Sequence, residues 1–303
     1  MIKWTASGAV EQPNMVQIRV QRSYPGRVRA GAPVPTRSMS EEELLKNLWH
    51  FGEGLKGPRT HPCSRLVLSG VGVATREDLP RVMDRAREWG FGHIVLHVGV
   101  EDLDRLDLEM VRGRADCVVV PLQPGRGGAQ VQQGSRTIRA CQDAGVEVVA
   151  NTVLSLEAVS QLEAVTRRLT RVKPRRASFT FPFPIAGGSS TEVVKAAAVK
   201  RALTKAVPAL EAAGISVSVK GLPACYLPEY RHVFRKSANR WYVDADHQVE
   251  EALLFFPDVV GFSKTDACRF CVVDASCDGF FATYLRREGF PALASISDSQ
   301  SSG

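Results

Sequence analysis

The chain has 303 residues, 39 Lys and Arg against 32 Asp and Glu for a net charge of +7, and 44% hydrophobic with 23% charged residues. That composition excludes a disordered chain, and the lack of any apolar run of about 18 residues excludes a spanning helix. For a chain of this length the cationic excess does not by itself mark a nucleic-acid binder, although it leaves an acidic partner open.

The first residues, MIKWTASGAVEQ, show neither the charged front and apolar middle of a secretory signal nor an amphipathic Arg/Ser presequence. A cytoplasmic setting is therefore expected, with no membrane partner. Along the chain, short β-branched runs alternate with segments of helical period. Strands are predicted near 15–20, 65–68, 93–98, 117–122, 146–154, 177–183 and 215–219, and helices near 40–54, 75–90, 103–112, 130–145, 155–171 and 191–214. Ser40 with Glu43 and Thr75 with Asp78 read as capping pairs, and Gly90, Gly145 and Gly214 as C-cap glycines. Continuous apolar runs such as Val118–Leu122 predict strands of a parallel sheet buried on both faces. Six βα units and one further strand predict an α/β fold, an open or partial (β/α)6 TIM-like barrel.

After Val219 the alternation stops. Pro223, Pro228, Pro257 and Gly261 punctuate a stretch that holds four of the seven cysteines, with one helix predicted near 246–256. The expected organisation is a barrel over 1–222, a cysteine-held extension over 223–290 that a metal stabilises, and a flexible tail over 291–303.

Cys63, Cys117 and Cys141 stand alone, whereas Cys268-x2-Cys271-x5-Cys277 crowds three thiols into one loop and Cys225 supplies a fourth. In a reducing compartment such a cluster reads as metal ligation before disulfide. Four thiolates satisfy either a [4Fe–4S] cubane or a tetrahedral zinc, and spacing alone leaves both open, the tight trio with a remote fourth being commoner for cubanes.

Pro223-x-Cys225, followed by Cys268-x2-Cys271-x5-Cys277-x-Gly279, Tyr284 and Gly289, resembles the SPASM-like or twitch-like extension of the radical S-adenosylmethionine superfamily. The upstream βα units carry the resemblance over about Met15–Phe290. It implies one auxiliary [4Fe–4S] cluster on Cys225, Cys268, Cys271 and Cys277, with zinc as the alternative, on a partial barrel of that superfamily's type.

The same resemblance fails at its N-terminal end. The superfamily places three cysteines spaced x3 and x2 after its first strand, and the residues from Gln21 to Ala30 contain none. Where an acidic turn binds the cofactor's amine, this chain has Ser69-Gly70-Val71-Gly72-Val73, and Val71 and Val73 cannot accept a hydrogen bond from an ammonium through their side chains. The end of the third strand reads His97-Val98-Gly99 instead of the family's Thr-Asn-Gly-like sequence. Bound S-adenosylmethionine is not expected, and Cys63, one thiolate before the second strand, cannot replace the missing cluster.

The expected function is that of a pseudo-radical-S-adenosylmethionine protein, an accessory subunit whose partner is an authentic radical enzyme, a precursor peptide, or both. No acid or base is assigned to it. One alternative is a barrel enzyme with independent chemistry, for which His97 and Lys220 stand near strand ends. Another is a zinc-stabilised module that binds nucleic acid through Arg167, Arg168, Arg171, Lys173, Arg175 and Arg176, although nucleic acid is not the expected partner. That basic run also reads as a solvated helix end or a landing strip for an acidic peptide. Arg19, Arg22, Arg27 and Arg29 occupy the loop a cluster would have used. Gly125–Gly128 is a candidate anion cradle, and Phe179, Phe181 and Phe183 with Pro184, Gly187 and Gly188 are candidates to line the barrel mouth.

Overall fold

A computed structural model describes residues 13–21, 37–54, 61–124, 128–182, 193–245, 253–255 and 262–297. Seven parallel strands follow the predicted alternation: β1 (Met15–Arg19), β2 (Arg65–Ser69), β3 (His93–His97), β4 (Cys117–Pro121), β5 (Glu147–Val153), β6 (Arg176–Thr180) and β7 (Ser216–Lys220). Between them run α1 (Glu41–Trp49), α2 (Leu79–Glu88), α3 (Leu108–Val111), α4 (Ala129–Asp143), α5 (Leu156–Ser160), α6 (Leu162–Val172) and α7 (Ala196–Ala212).

The local signals act as expected at α1. Ser40 Oγ accepts from Glu43 N–H while a Glu43 carboxylate oxygen accepts from Ser40 N–H, closing a reciprocal cap. The pair expected at Thr75 does not form. Asp78 occupies the N-cap position of α2, and Thr75 Oγ1 instead donates to the Gly72 carbonyl at 3.1 Å. The helix expected over 155–171 breaks at Gln161 into α5 and α6, and that over 103–112 contracts to α3 after a 3₁₀ turn at Val100–Asp102.

Three strands differ from a sheet buried on both faces. In β1, β3 and β5 fully buried residues such as Val16, Ile18, Ile94, Leu96, Val148 and Ala150 alternate with half-buried neighbours including Gln17, Arg19, His97 and Asn151. In β2, β4, β6 and β7 consecutive residues are buried, as expected of strands covered on both faces.

Beyond β7 the chain adds β8 (Arg240–Asp244) parallel to β1, with Val16 opposite Trp241 and Arg19 opposite Asp244. An antiparallel β9 (Leu253–Phe255) pairs with β8. The strand order is β7-β6-β5-β4-β3-β2-β1-β8-β9, with eight parallel strands. The helix predicted near 246–256 is thus a strand at its C-terminal end; residues 246–252 and 256 lie outside the described residues. Leu253-Leu254-Phe255 has no polar period to hold it helical, and the free edge of β8 offers backbone partners.

The chain divides into two compact units, Met1–Val120 with Ala140–Val148 and Asn239–Phe255, and Pro121–Arg139 with Val149–Ala238 and Phe256–Gly303. In the first, Val16, Leu66 and Ile94 form a sealed core and the Phe51 and Trp241 rings lie 5.7 Å apart. In the second, α6 and α7 cover β6 and β7, whose Ala177, Phe179, Val217 and Val219 are buried. Asn239–Phe255 belongs to the first unit and Phe256–Gly303 to the second. No helix among the described residues is long and apolar enough to cross a membrane.

Candidate metal centre

The site is built at the exit of β7. Gly221, at φ +73°, turns the chain where an added Cβ would stand 3.0 Å from the Phe181 carbonyl oxygen. Pro223 then opens a 3₁₀ turn over Ala224–Tyr226 that carries Cys225. The other three thiols lie on one loop pinched by a two-residue ladder, β10 (Phe262–Ser263) against β11 (Phe280–Phe281), with Phe262 opposite Phe281. Two 3₁₀ turns, Asp266–Phe270 and Asp274–Ser276, shape that loop.

An aromatic block anchors both parts. Phe280 and Phe281 are fully buried, Phe280 meets Tyr226 at 5.5 Å and Phe181 at 5.6 Å, and Tyr284, on the short helix α8 (Ala282–Leu285), donates from its hydroxyl to the Pro182 carbonyl at 3.2 Å. Tyr226 donates to the Pro291 carbonyl at 2.6 Å, which fastens the chain after α8 to the Cys225 turn.

These supports bring Cys225, Cys268, Cys271 and Cys277 round one cavity with about 280 Å³ of empty space, counting its open mouth. Lys264, Asp274, Leu293 and Ala294 complete its wall. Main-chain donors aim at the sulfurs: Gly279 N–H at Cys277 Sγ, 3.4 Å, and Ile296 N–H at Cys271 Sγ, 3.4 Å. Thr265 Oγ1 lies 3.7 Å from Cys268 Sγ. Burial pushes the Cys277 thiol up, against the pull of Ala224 and Gly279 N–H and of the Lys264 ammonium. Burial likewise raises Cys225, opposed by Ala294 N–H and reinforced by Cys277 and Cys268. Lys264 Nζ is itself held 2.7 Å from both the carbonyl and Oδ1 of Asp274.

Among the described residues no three His, Cys, Asp or Glu side chains are gathered as a site for a single metal ion. The four thiols border a space instead of meeting at a point. Their chemistry, soft sulfur donors with N–H groups directed at them, fits a thiolate-bound cluster, since such hydrogen bonds are among the protein's means of stabilising cluster sulfurs.

The remaining thiols divide from these as the spacing suggests. Cys63, Cys117 and Cys141 are buried, and burial raises Cys63 to about 12 and Cys141 to about 11. They pack as small hydrophobes. Three contributors carried no sequence signal. Lys264 and Asp274 are ordinary loop residues in sequence, and Ile296 acts through its main chain. Beyond α8, Leu293 and Ile296 are buried; 298–303 lie outside the described residues.

Other candidates fall elsewhere. Arg19 ends β1 with its guanidinium 5.6 Å from the Tyr242 ring centroid, while Arg22, Arg27 and Arg29 are not among the described residues. His97 ends β3 and Lys220 ends β7. Gly70, at φ +115°, is fixed by close approach, for a Cβ there would meet the Gln21 carbonyl oxygen at 2.5 Å. Burial raises the carboxyl of Asp102, against the pull of the Gly72 and Ala74 N–H groups in the loop after β2. Gly125–Gly127, Phe183, Pro184, Gly187 and Gly188 lie outside the described residues; Phe179 and Phe181 are core.

No protein-family profile and no curated protein matches the sequence. Solved structures do match. Streptococcus suis SuiB bound to S-adenosylmethionine is 11% identical over 94% of this chain and 76% of its own, with a TM-score of 0.57. The anSMEcpe protein with bound AdoMet and a Kp18Cys peptide is 11% identical over 92% of each chain, with a TM-score of 0.58. SuiB bound to its precursor peptide SuiA matches over 77% of this chain and 57% of its own at 10% identity, with a TM-score of 0.56. Identities this low establish architecture only, and the architecture is the partial α/β barrel of radical S-adenosylmethionine enzymes, its strand order open at β7 and β9 among the described residues.

Proposed function

We propose that this chain is a radical-S-adenosylmethionine-like protein without the radical-generating site, that it holds one auxiliary [4Fe–4S] cluster on Cys225, Cys268, Cys271 and Cys277, and that it serves as an accessory subunit in a system that modifies a peptide or builds a cofactor. The observation that carries this reading is the gathering of four thiols, from turns far apart in sequence, round one cavity with main-chain N–H groups directed at their sulfurs. A cubane spans more space than a zinc ion, whose four sulfurs would have to stand about 2.3 Å from one point. When bound, such a cluster supplies one-electron chemistry or a rigid cross-link; the chain itself supplies the thiolates, the N–H donors and the Lys264 cation.

The loss of the radical site is supported by sequence: after β1 no cysteine occurs before Cys63, which is buried with its thiol near the Pro13 carbonyl. A partner is supported by the surface beside the cavity, where Phe270 is 82% exposed and Val272 44%, on either side of Cys271. The peptide-bound neighbours make a peptide a natural member of the assembly.

Iron, sulfide and zinc analysis of anaerobically purified protein tests the cluster: equal iron and sulfide without zinc supports it, and stoichiometric zinc in colourless protein refutes it. Cleavage of S-adenosylmethionine by the isolated, reconstituted chain would refute the accessory role, whereas co-purification with a cluster-bearing radical enzyme or a precursor peptide supports it.

A further inference from the structure

A second concavity lies on the same unit, away from the cysteines, along α6 and α7. It is a groove of about 870 Å³, open to solvent. Its floor comes from the spacing of small residues in α7: Ala198, Ala202, Ala206 and Ala209 recur at helical intervals and all line it. Short side chains let another backbone approach closely.

The rim adds charge to that shape. Arg201 and Lys205 are exposed and line the groove with no ion pair among the described residues. Across from them Arg167 opens the basic run of α6, its partner Glu163 at 2.7 Å being itself exposed. Lys200 reaches Glu229 only at 3.7 Å. Four cations thus face two carboxylates along the lining. Thr204 Oγ1, also in the lining, is a buried atom with no hydrogen-bond partner among the described residues.

We propose that this groove docks an acidic helical peptide segment, its small-residue face on the alanines and its carboxylates on Arg201 and Lys205. Helix-in-groove recognition supplies the contact area, and the cations select the sign of the partner. The inference rests on the reading that a peptide is a partner of this chain, and it does not depend on the metal.

The test is fluorescence anisotropy of the full chain with a labelled amphipathic peptide carrying Glu on one helical face and Ala on the other. The controls are the same peptide with Lys for Glu and a single-stranded RNA oligonucleotide, with iron measured in every sample. The Glu peptide is expected to bind and the Lys peptide not. Arg201→Glu with Lys205→Glu should weaken the Glu peptide by about tenfold or more and admit the Lys peptide. Ala202→Trp should block the floor while circular dichroism and iron content stay unchanged. Equal binding of both peptides, insensitivity to the charge reversal, or tighter binding of the RNA would overturn the proposal. Peptide binding by protein that carries zinc would leave the groove standing and remove only the cluster.

Discussion

The backbone N–H of Ile296 points at Cys271 Sγ across 3.4 Å, so that a residue past the last helix donates to one of the four thiols around the cavity. A donor of this kind stabilises a thiolate more than a thiol, by roughly 1.5–3 kcal/mol for a charged acceptor. Ile296→Pro, which removes the N–H, should lower metal content after anaerobic purification, while Ile296→Val, which keeps it, should not. Equal metal content in the two variants would contradict a role for this donor.

Alanine at Cys225, Cys268, Cys271 or Cys277 should each reduce bound iron sharply and bleach the visible absorption. Cys63→Ala should leave iron unchanged and cost only about 1–2 kcal/mol in a denaturation titration, the effect of a small buried void. Iron lost equally from the Cys63 variant would argue against the division of thiols.

Gly279 sits at φ +84°, and a Cβ there would lie 2.2 Å from the Ser263 carbonyl oxygen. Gly279→Ala should therefore cost at least about 2 kcal/mol, combining left-handed backbone strain with a collision that the β10–β11 ladder cannot relax. Urea unfolding of the variant measures this directly.

Phe280 is fully buried among Phe181, Tyr226, Tyr284 and Phe290. Truncation to alanine should destabilise by about 3–5 kcal/mol and also diminish metal retention, because the same block supports the Cys225 turn and the cysteine loop. Retention of full iron by folded Phe280→Ala protein would separate the two effects.

Burial raises the Cys63 thiol from 9.0 to about 12. Above pH 9 the unfolded chain releases this proton while the folded chain keeps it, so stability is complete below pH 9 and declines as pH rises toward about 12. The decline should be shallower in Cys63→Ala, as read from unfolding midpoints at successive pH values. Native protein should also resist alkylation at Cys63 near pH 8.

The strands and the four cysteines were legible because their signals are local. β-branched runs that follow the helix-ending Gly90, Gly145 and Gly214 locate β3, β5 and β7 closely, and thiols grouped at x2 and x5 announce themselves. β8 was not legible: Arg240-Trp-Tyr-Val-Asp244 becomes a strand because it pairs with β1, more than two hundred positions earlier. The helix expected over 246–256 failed at Leu253–Phe255 because these residues pair antiparallel with β8, a strand that itself exists only through β1. The Ile296 donor left no trace because a main-chain N–H looks alike at every residue, and Lys264 is a cation beside thiols only once the loop has closed.

The pairing of β1 with β8 also sets an order of assembly during translation. As the ribosome emits the chain, β1 gains β2 early, but its other edge keeps bare N–H and C=O groups until Arg240–Asp244 emerges. For most of its synthesis the nascent protein offers that edge to any passing strand. Its yield in a cell should therefore depend on chaperone cover and elongation rate, and a chain terminated before Arg240 should be prone to aggregate even though most of the βα units have been made.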